Sequence, residues 1–258
     1  MVTGRFAVFR NITILSVLIG ILVSFSPQTS FLTDQKKYAR VRTAISEKHD
    51  LLEQKLKSNH FTFDNLNILL VVYKESDRLD LYAKNPTERQ YKKILSYSVC
   101  SRSGHLGPKR KQGDSQVPEG FYHIDRFNPT SSFYLSLGIN YPNPSDRIKG
   151  ETGNLGGDIF IHGSCVTIGC IPMTDSYIKE IYLLAVHARN NGQSNIPVYI
   201  FPFEMNDQNM AVYEKKYKEN TALINFWKNL KTGYDLFMNN HEKLSVSVTK
   251  TGDYSFNP

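Results

Sequence analysis

The chain has 258 residues, a hydrophobic content of 40% and a formal net charge of +7 at pH 7. This composition supports a packed core and excludes a disordered chain. The basic residues are scattered and no nucleic-acid-binding motif accompanies them, so we expect no nucleic-acid partner.

The first residues have the pattern of an export signal. Arg5 and Arg10 precede an apolar stretch over 12–25, whose length suits a secretory signal and is short for a free-standing membrane span. The small-x-small site at 24–26 is followed by Pro27, which we expect to hinder cleavage. We therefore expect a removed signal or an uncleaved anchor over 1–33, with a buried N-terminal helix as the alternative. Either export route places the protein in the periplasm or elsewhere outside the cytoplasm, with an inner-membrane contact if the anchor remains.

A helix is predicted next, over 34–58, because this segment lacks Gly and Pro and is rich in Lys, Glu, Gln and Leu. Val41, Ile45, Leu52 and Leu56 mark a rough apolar face. The helix either packs on the following domain or forms a stalk above the membrane. We place a membrane-proximal helical segment at 34–60 and a single catalytic domain at 61–258.

Strand patterns dominate the middle of the chain. In chain order, strands are predicted at 66–73, 77–84, 93–100, 121–124, 158–162, 196–203 and 244–248, and helices at 177–189 and 209–240. A Gly-, Pro- and Lys-rich loop covers 101–120. The resulting prediction is an α+β fold, mostly β, with flanking helices.

Three cysteines, Cys100, Cys165 and Cys170, leave at least one thiol unpaired within the chain. His162 ends a predicted strand, and Cys170 follows eight residues later, directly after Gly169. An imidazole close to a thiol can take its proton and so activate it as a nucleophile. The pair therefore predicts cysteine-based acyl chemistry, with the Gly169 and Cys170 N–H groups as candidate oxyanion donors.

Other interpretations of these residues remain open. His162 alone fits a buried structural histidine, and a disulfide between Cys165 and Cys170 would silence the nucleophile. His162, Cys165 and Cys170 could also be zinc ligands, but the spacing lacks the usual Cys-x2-Cys pair and no fourth ligand stands out. We expect no metal and no cofactor.

The segment resembles the signature of the L,D-transpeptidase catalytic domain, or YkuD domain. His162-Gly163 matches its histidine-glycine element, and Thr167-Ile168-Gly169-Cys170 matches its cysteine motif. Ile168 in place of the second histidine, and the ending Gly-Cys-x-x-Met-Thr-Asp, are similar to the YafK-like branch. Further segments similar to that branch lie at 107–109, 112–114, 117–122, 135–143 and 226–231, so the resemblance covers about 66–258.

The resemblance implies a β-sandwich-like catalytic domain with helices at its side, acting on peptidoglycan stem peptides. Cys170 would form a thioester, and His162 would act as the base. Transfer to an amine would give a cross-link or attach a protein such as an envelope lipoprotein, while transfer to water would make the enzyme an amidase or L,D-endopeptidase. A peptidoglycan-binding protein without catalysis is a further alternative, motivated by Ile168 and by Pro172, where the family carries an arginine.

The remaining candidates carry weaker signals. Substrate contacts are predicted for Gly163, Thr167 and Tyr141, with the alternative that Tyr141 belongs to the core. The Thr167 hydroxyl is also expected to orient His162, or else to make a local turn hydrogen bond. Lys109 and Arg110 are expected in a solvated loop, or else against substrate carboxylates; His105 and His123 are expected in surface or structural roles. Finally, we expect Cys100 to pair with Cys165, which would leave Cys170 free.

Overall fold

A computed structural model describes residues 1, 2, 4 and 30–257. The predicted export segment over 12–25 lies outside the described residues. Among the residues that are described, no helix is both long enough and apolar enough to cross a membrane.

In the described part of the chain, two N-terminal helices are followed by five consecutive strands and then by a mixture of helices and strands. In order, the elements are α1 (Phe31–Gln35), α2 (Ala39–Lys57), β1 (Asn67–Tyr73), β2 (Arg78–Lys84), β3 (Lys92–Ser98), β4 (Gly120–Asn128), β5 (Ser136–Ile139), α3 (Pro144–Lys149), β6 (Phe160–His162), β7 (Ile171–Pro172), α4 (Asp175–Asn190), β8 (Ile196–Phe201), α5 (Asp207–Lys216), α6 (Thr221–Asn240), β9 (Ser245–Val248) and β10 (Tyr254–Asn257).

Eight of these strands form one mixed sheet in the order β3-β2-β1-β8-β4-β5-β6-β7, and β9 pairs with β10 separately. The pairs β1–β8 and β6–β7 are parallel, and the other neighbours are antiparallel. The α+β class is therefore confirmed. The helical share is larger than the mostly-β prediction implied, since α2 and α6 are the longest elements, with 19 and 20 residues.

The central strands β1 and β8 are buried on both faces of the sheet, which explains why the sequence of β1 is a continuous apolar run. Side chains alternate along β1: Ile68, Leu70 and Val72 enter the core beneath α2 and α4, whereas Leu69, Val71 and Tyr73 enter the core beneath α6. Residues of α2 and of α6 are members of these two cores. The helices thus complete a layer on each side of the sheet.

The two edge strands of the sheet meet at the end where β7 lies. Directly after β3, the Cys100 N–H donates to the Pro172 carbonyl at 3.0 Å, and Cys100 forms a disulfide with Cys165 in the β6–β7 loop. The sheet is therefore curled, because its first and last strands approach each other there. This curl brings the loop after β3 next to the β6–β7 loop.

Both long predicted helices are interrupted. The segment predicted over 34–58 divides around residues 36–38, and α2 packs against the sheet and α4 through Val41, Ala44, Leu52 and Leu56 rather than forming a stalk. The segment predicted over 209–240 divides at 217–220, where the Asn220 side chain caps α6. The boundary at residue 60 stays a prediction, since α2 shares its core with the sheet.

Candidate active site

Two short parallel strands bring His162 and Cys170 to one side of the sheet edge. Ile161 pairs with Ile171, and His162 pairs with Pro172. Continuing this register places Cys170, one residue before β7, opposite Phe160. Directly opposed side chains point to the same face and alternate along each strand, so His162 and Cys170 share a face while Ile161 and Ile171 point into the core.

The His162 ring is buried and held in one orientation. Only 1% of the residue is exposed, the ring packs against Phe133 at 4.6 Å, and Nδ1 lies 2.5 Å from the Gly163 carbonyl oxygen. Because a carbonyl can only accept, Nδ1 carries the proton and Nε2 keeps its lone pair. Burial lowers the pKa of His162, with the Gly163 carbonyl opposing the shift, so the imidazole is neutral at neutral pH.

Cys170 is a free, half-buried thiol. Its sulfur accepts from the Phe160 N–H at 3.4 Å and donates to the Asp158 carbonyl at 3.5 Å. Burial raises the pKa of Cys170, and the Phe160 N–H opposes that rise only in part. Across residues 30–257, no hydrogen bond joins this thiol to the His162 ring. The resting state is therefore a neutral thiol beside a neutral imidazole.

The loop between the two strands is fixed by the other two cysteines. Cys100 and Cys165 form a disulfide with a Cα–Cα distance of 5.4 Å, which confirms the predicted pairing and leaves Cys170 free. The alternative of a Cys165–Cys170 disulfide is therefore wrong. The alternative zinc site would need Cys165 as a thiolate ligand, whereas the sulfur of Cys165 is bonded to Cys100.

Thr167 shapes the loop instead of contacting the histidine. Its Oγ1 donates to the Cys170 carbonyl at 2.8 Å and accepts from the Gly169 N–H at 3.1 Å, so the local turn hydrogen bond is what forms. The predicted use of the Gly169 N–H for an oxyanion stays a prediction, and it would require this N–H to leave the Thr167 hydroxyl. Gly169 is required for another reason: its φ of 135° disfavours a side chain, and an added Cβ would lie 3.0 Å from the Gln116 carbonyl oxygen.

Gly163 and Tyr141, the other two predicted substrate contacts, are packed against other parts of the protein. At Gly163, an added Cβ would lie 2.6 Å from Asp175 Oδ1 and 2.8 Å from the Phe133 carbonyl oxygen, so the glycine permits close packing next to the histidine. Tyr141 is 5% exposed, and its hydroxyl donates to the Leu155 carbonyl at 3.2 Å. Neither residue lines the cavity at Cys170.

Cys170 opens into a cavity of about 380 Å³. The walls come from the end of β1, the loop after β3 and the end of α5; they include Lys74, Arg102, His105 and Lys216. His105 therefore lies at the site, whereas His123 lines a different cavity beside β9. No sequence pattern pointed to Lys216 as a site residue, because it comes from a helix far along the chain.

Sequence reasoning also missed a buried ionic centre behind this cavity. Glu119 is fully buried and accepts from Lys74 Nζ at 2.9 Å, from the Gly107 N–H at 2.7 Å and from Trp227 Nε1 at 2.9 Å. Lys74 Nζ also donates to the carbonyls of Gly107 and Val117. These bonds tie β1, α6 and both ends of the 107–119 segment together.

The expectation that Lys109 and Arg110 lie in a solvated loop is wrong. Lys109 is 4% exposed and donates to Asp114 Oδ1 at 2.6 Å, while Arg110 lies over the Phe226 ring at 4.9 Å. Asp114 also accepts from the backbone N–H groups of residues 110, 111 and 116. Both cations therefore stabilise the folded loop.

Comparisons with known proteins show which family the chain resembles. Residues 67–200 match the family YkuD, the L,D-transpeptidase catalytic domain. Two relatives named "Putative L,D-transpeptidase YafK", from Escherichia coli K12 and O157:H7, are each 40% identical over 183 residues, which is 70% of this chain and 70% of each relative.

Two solved structures show more distant likenesses, and we base no argument on them. The helical cell shape determining protein Pgp2 from Campylobacter jejuni has a TM-score of 0.43 at 18% identity, covering 71% of this chain and 74% of Pgp2. Bd1075 from Bdellovibrio bacteriovorus has a TM-score of 0.39 at 20% identity, covering 72% and 76%.

The match to the catalytic domain spans more than half of the chain and includes both strands of the site. The relatives at 40% identity cover more than two thirds of it. This chain belongs to the YkuD family of L,D-transpeptidase catalytic domains.

Proposed function

We propose that this protein is an extracytoplasmic enzyme that acylates Cys170 with peptidoglycan stem peptides and passes the acyl group to an amine or to water. The observation that carries the proposal is the arrangement of the three cysteines. Two are joined in a disulfide that fixes the loop, and the third is free, faces a cavity and lies one strand from His162. A structural disulfide also fits an oxidising compartment such as the periplasm.

Acylation begins with proton transfer, because both partners are neutral at rest. The Cys170 S–H turns from the Asp158 carbonyl towards His162 Nε2, which takes the proton as sulfur attacks the carbonyl carbon of the residue before a D-amino acid. The C–N bond then breaks, the leaving amine receives that proton from His162, and a thioester remains on Cys170. The Gly163 carbonyl stabilises the imidazolium formed in between.

The developing oxyanion needs a donor, and the backbone N–H of Cys170 is our candidate. The neighbouring Gly169 N–H already donates to Thr167 Oγ1, so we do not count it as a second donor to the oxyanion. In the second half of the reaction His162 removes a proton from the incoming amine or water, and Cys170 leaves as the thiol.

The acceptor decides between two activities. An amine acceptor makes the protein a transpeptidase, including attachment of an envelope lipoprotein, whereas water makes it an amidase or L,D-endopeptidase. Pro172 lies in β7, paired with His162, where the family's arginine would stand. This missing cation motivates the hydrolytic alternative and the non-catalytic peptidoglycan-binding alternative.

The test is product analysis of peptidoglycan fragments incubated with the full-length chain and with two variants. We expect new cross-linked or hydrolysed products with the wild type, and none with Cys170→Ala or His162→Ala. His123→Ala is the matched control, since His123 lines a different cavity, and should retain activity. Full activity in Cys170→Ala would refute the proposal, and binding of fragments without any product from the wild type would favour the non-catalytic alternative.

A further inference from the structure

The cavity at Cys170 contains three cationic side chains, and two of them already have ionic partners. Lys74 is paired with Glu119 at 2.9 Å. Arg102 is paired with Asp77 at 2.5 Å and lies 3.8 Å from Glu75. Neither cation is therefore free to bind an incoming anion without giving up a carboxylate.

Lys216 is different. It ends α5 and lines the cavity, and among residues 30–257 no carboxylate lies within ion-pair distance of its ammonium group. Nζ lies 5.7 Å from the Tyr213 ring centroid and 5.6 Å from that of Tyr217, so two aromatic rings flank it.

The two rings are themselves held in place. Tyr213 stacks on Phe203 at 4.0 Å, and Tyr217 meets Trp227 edge-on at 5.1 Å. Trp227 in turn donates to the buried Glu119. The lysine head is thus oriented by the folded core, which lowers the entropic cost of using it as a binding group.

We infer that Lys216 binds the carboxylate of the D-amino acid on the leaving side of the attacked bond. This inference rests on the proposed function. A cavity of 380 Å³ is about 9 Å across if taken as a sphere, and two extended residues span about 7 Å, so a peptide carbonyl at Cys170 and a carboxylate one residue further on fit together. Lys216 is then a specificity-determining residue that selects peptides with a free carboxylate.

A cation at the end of α5 could also stabilise the helix through its interaction with the helix dipole, independently of any substrate. Lys215 shares that position in the last turn and is exposed, as Lys216 is, but it does not line the cavity. Lys215→Gln is therefore the matched control for Lys216→Gln. Both replacements keep the polar character of the side chain.

The experiment measures binding without turnover, in the full-length Cys170→Ala background. Two synthetic stem peptides are compared by calorimetry, one ending in a D-amino acid with a free carboxylate and the other ending in the corresponding carboxamide. We expect about a tenfold preference for the carboxylate, the scale of one charge-assisted hydrogen bond. The preference should disappear in Cys170→Ala/Lys216→Gln and persist in Cys170→Ala/Lys215→Gln.

Three results would overturn the inference: no preference in the Cys170→Ala background, a preference that survives Lys216→Gln, or an equal loss with Lys215→Gln. Failure of the proposed function has a different signature. In that case the wild-type chain makes no product from peptidoglycan, whether or not the peptides bind.

Discussion

Removing the Glu119 carboxylate should destabilise the whole domain and disorganise the cavity at Cys170. The side chain is fully buried and accepts hydrogen bonds from Lys74, from the Gly107 N–H and from Trp227. Glu119→Ala leaves all three donors buried without this acceptor, and one of them is an ammonium group.

The size of the effect follows from these contacts. Breaking a buried ion pair by removing one partner costs about 3–5 kcal/mol, because the other charge stays buried. Each abandoned neutral donor adds about 1–3 kcal/mol, although the terms are not additive. We therefore expect a loss of at least about 4 kcal/mol, which in a chain of this size corresponds to a fall in Tm of about 8–16 °C.

Chemical denaturation followed by circular dichroism measures this loss. Glu151→Ala is the control, because Glu151 also pairs with a lysine, Lys111, but at an exposed site worth at most about 1 kcal/mol. The double variant Lys74→Met/Glu119→Gln should lose less unfolding free energy than the sum of the losses in Lys74→Met and in Glu119→Gln. It removes both charges together and leaves neither buried alone. A loss below about 1 kcal/mol for Glu119→Ala would refute the reasoning.

Three further predictions concern the site directly. Burial raises the pKa of Cys170, so the rate of alkylation by iodoacetamide should rise only above the pH range in which ordinary thiols ionise. Burial lowers the pKa of His162, so kcat/KM should fall on acidification only below the pH range in which ordinary histidines gain a proton. Fast alkylation near pH 6 would instead indicate a thiolate–imidazolium pair. The double replacement Cys100→Ser/Cys165→Ser should lower kcat through loss of the loop tether, and unchanged kcat would show that the loop holds its shape alone. In Gly169→Ala, the alanine must adopt a φ of 135°, which costs about 1–3 kcal/mol of backbone strain. We expect kcat to fall at least about tenfold. A kcat equal to that of the wild type would show that the loop shape at residue 169 does not matter for turnover.

The parts of the site that lie close together in the chain were predictable. His162 and Cys170 are eight residues apart, one strand and one loop, so their proximity follows from local pattern alone. The Cys100–Cys165 pairing was a hypothesis consistent with the odd cysteine count, and the structure confirms it.

The parts that depend on distant contacts were not predictable from pattern. Glu119 meets Lys74 and Trp227, which are 45 and 108 residues away in the chain, and hydrophobic periodicity carries no information about such polar partners. Lys109 shows the same gap, because its charge indicated solvent whereas Asp114 stabilises it in a buried position. The hydrogen bond from the Gly169 N–H to the Thr167 hydroxyl was not predicted either, because it depends on loop geometry that the sequence does not display.

The most direct test of the central claim is intact-mass analysis of the full-length chain after brief incubation with a stem peptide that ends in a D-amino acid. The thioester mechanism predicts an added mass equal to the peptide without its leaving residue. This mass should be located on Cys170, be lost on treatment with hydroxylamine and be absent in Cys170→Ala. The mechanism would be contradicted if the wild type formed product without any adduct and the Cys170→Ala variant were as active as the wild type.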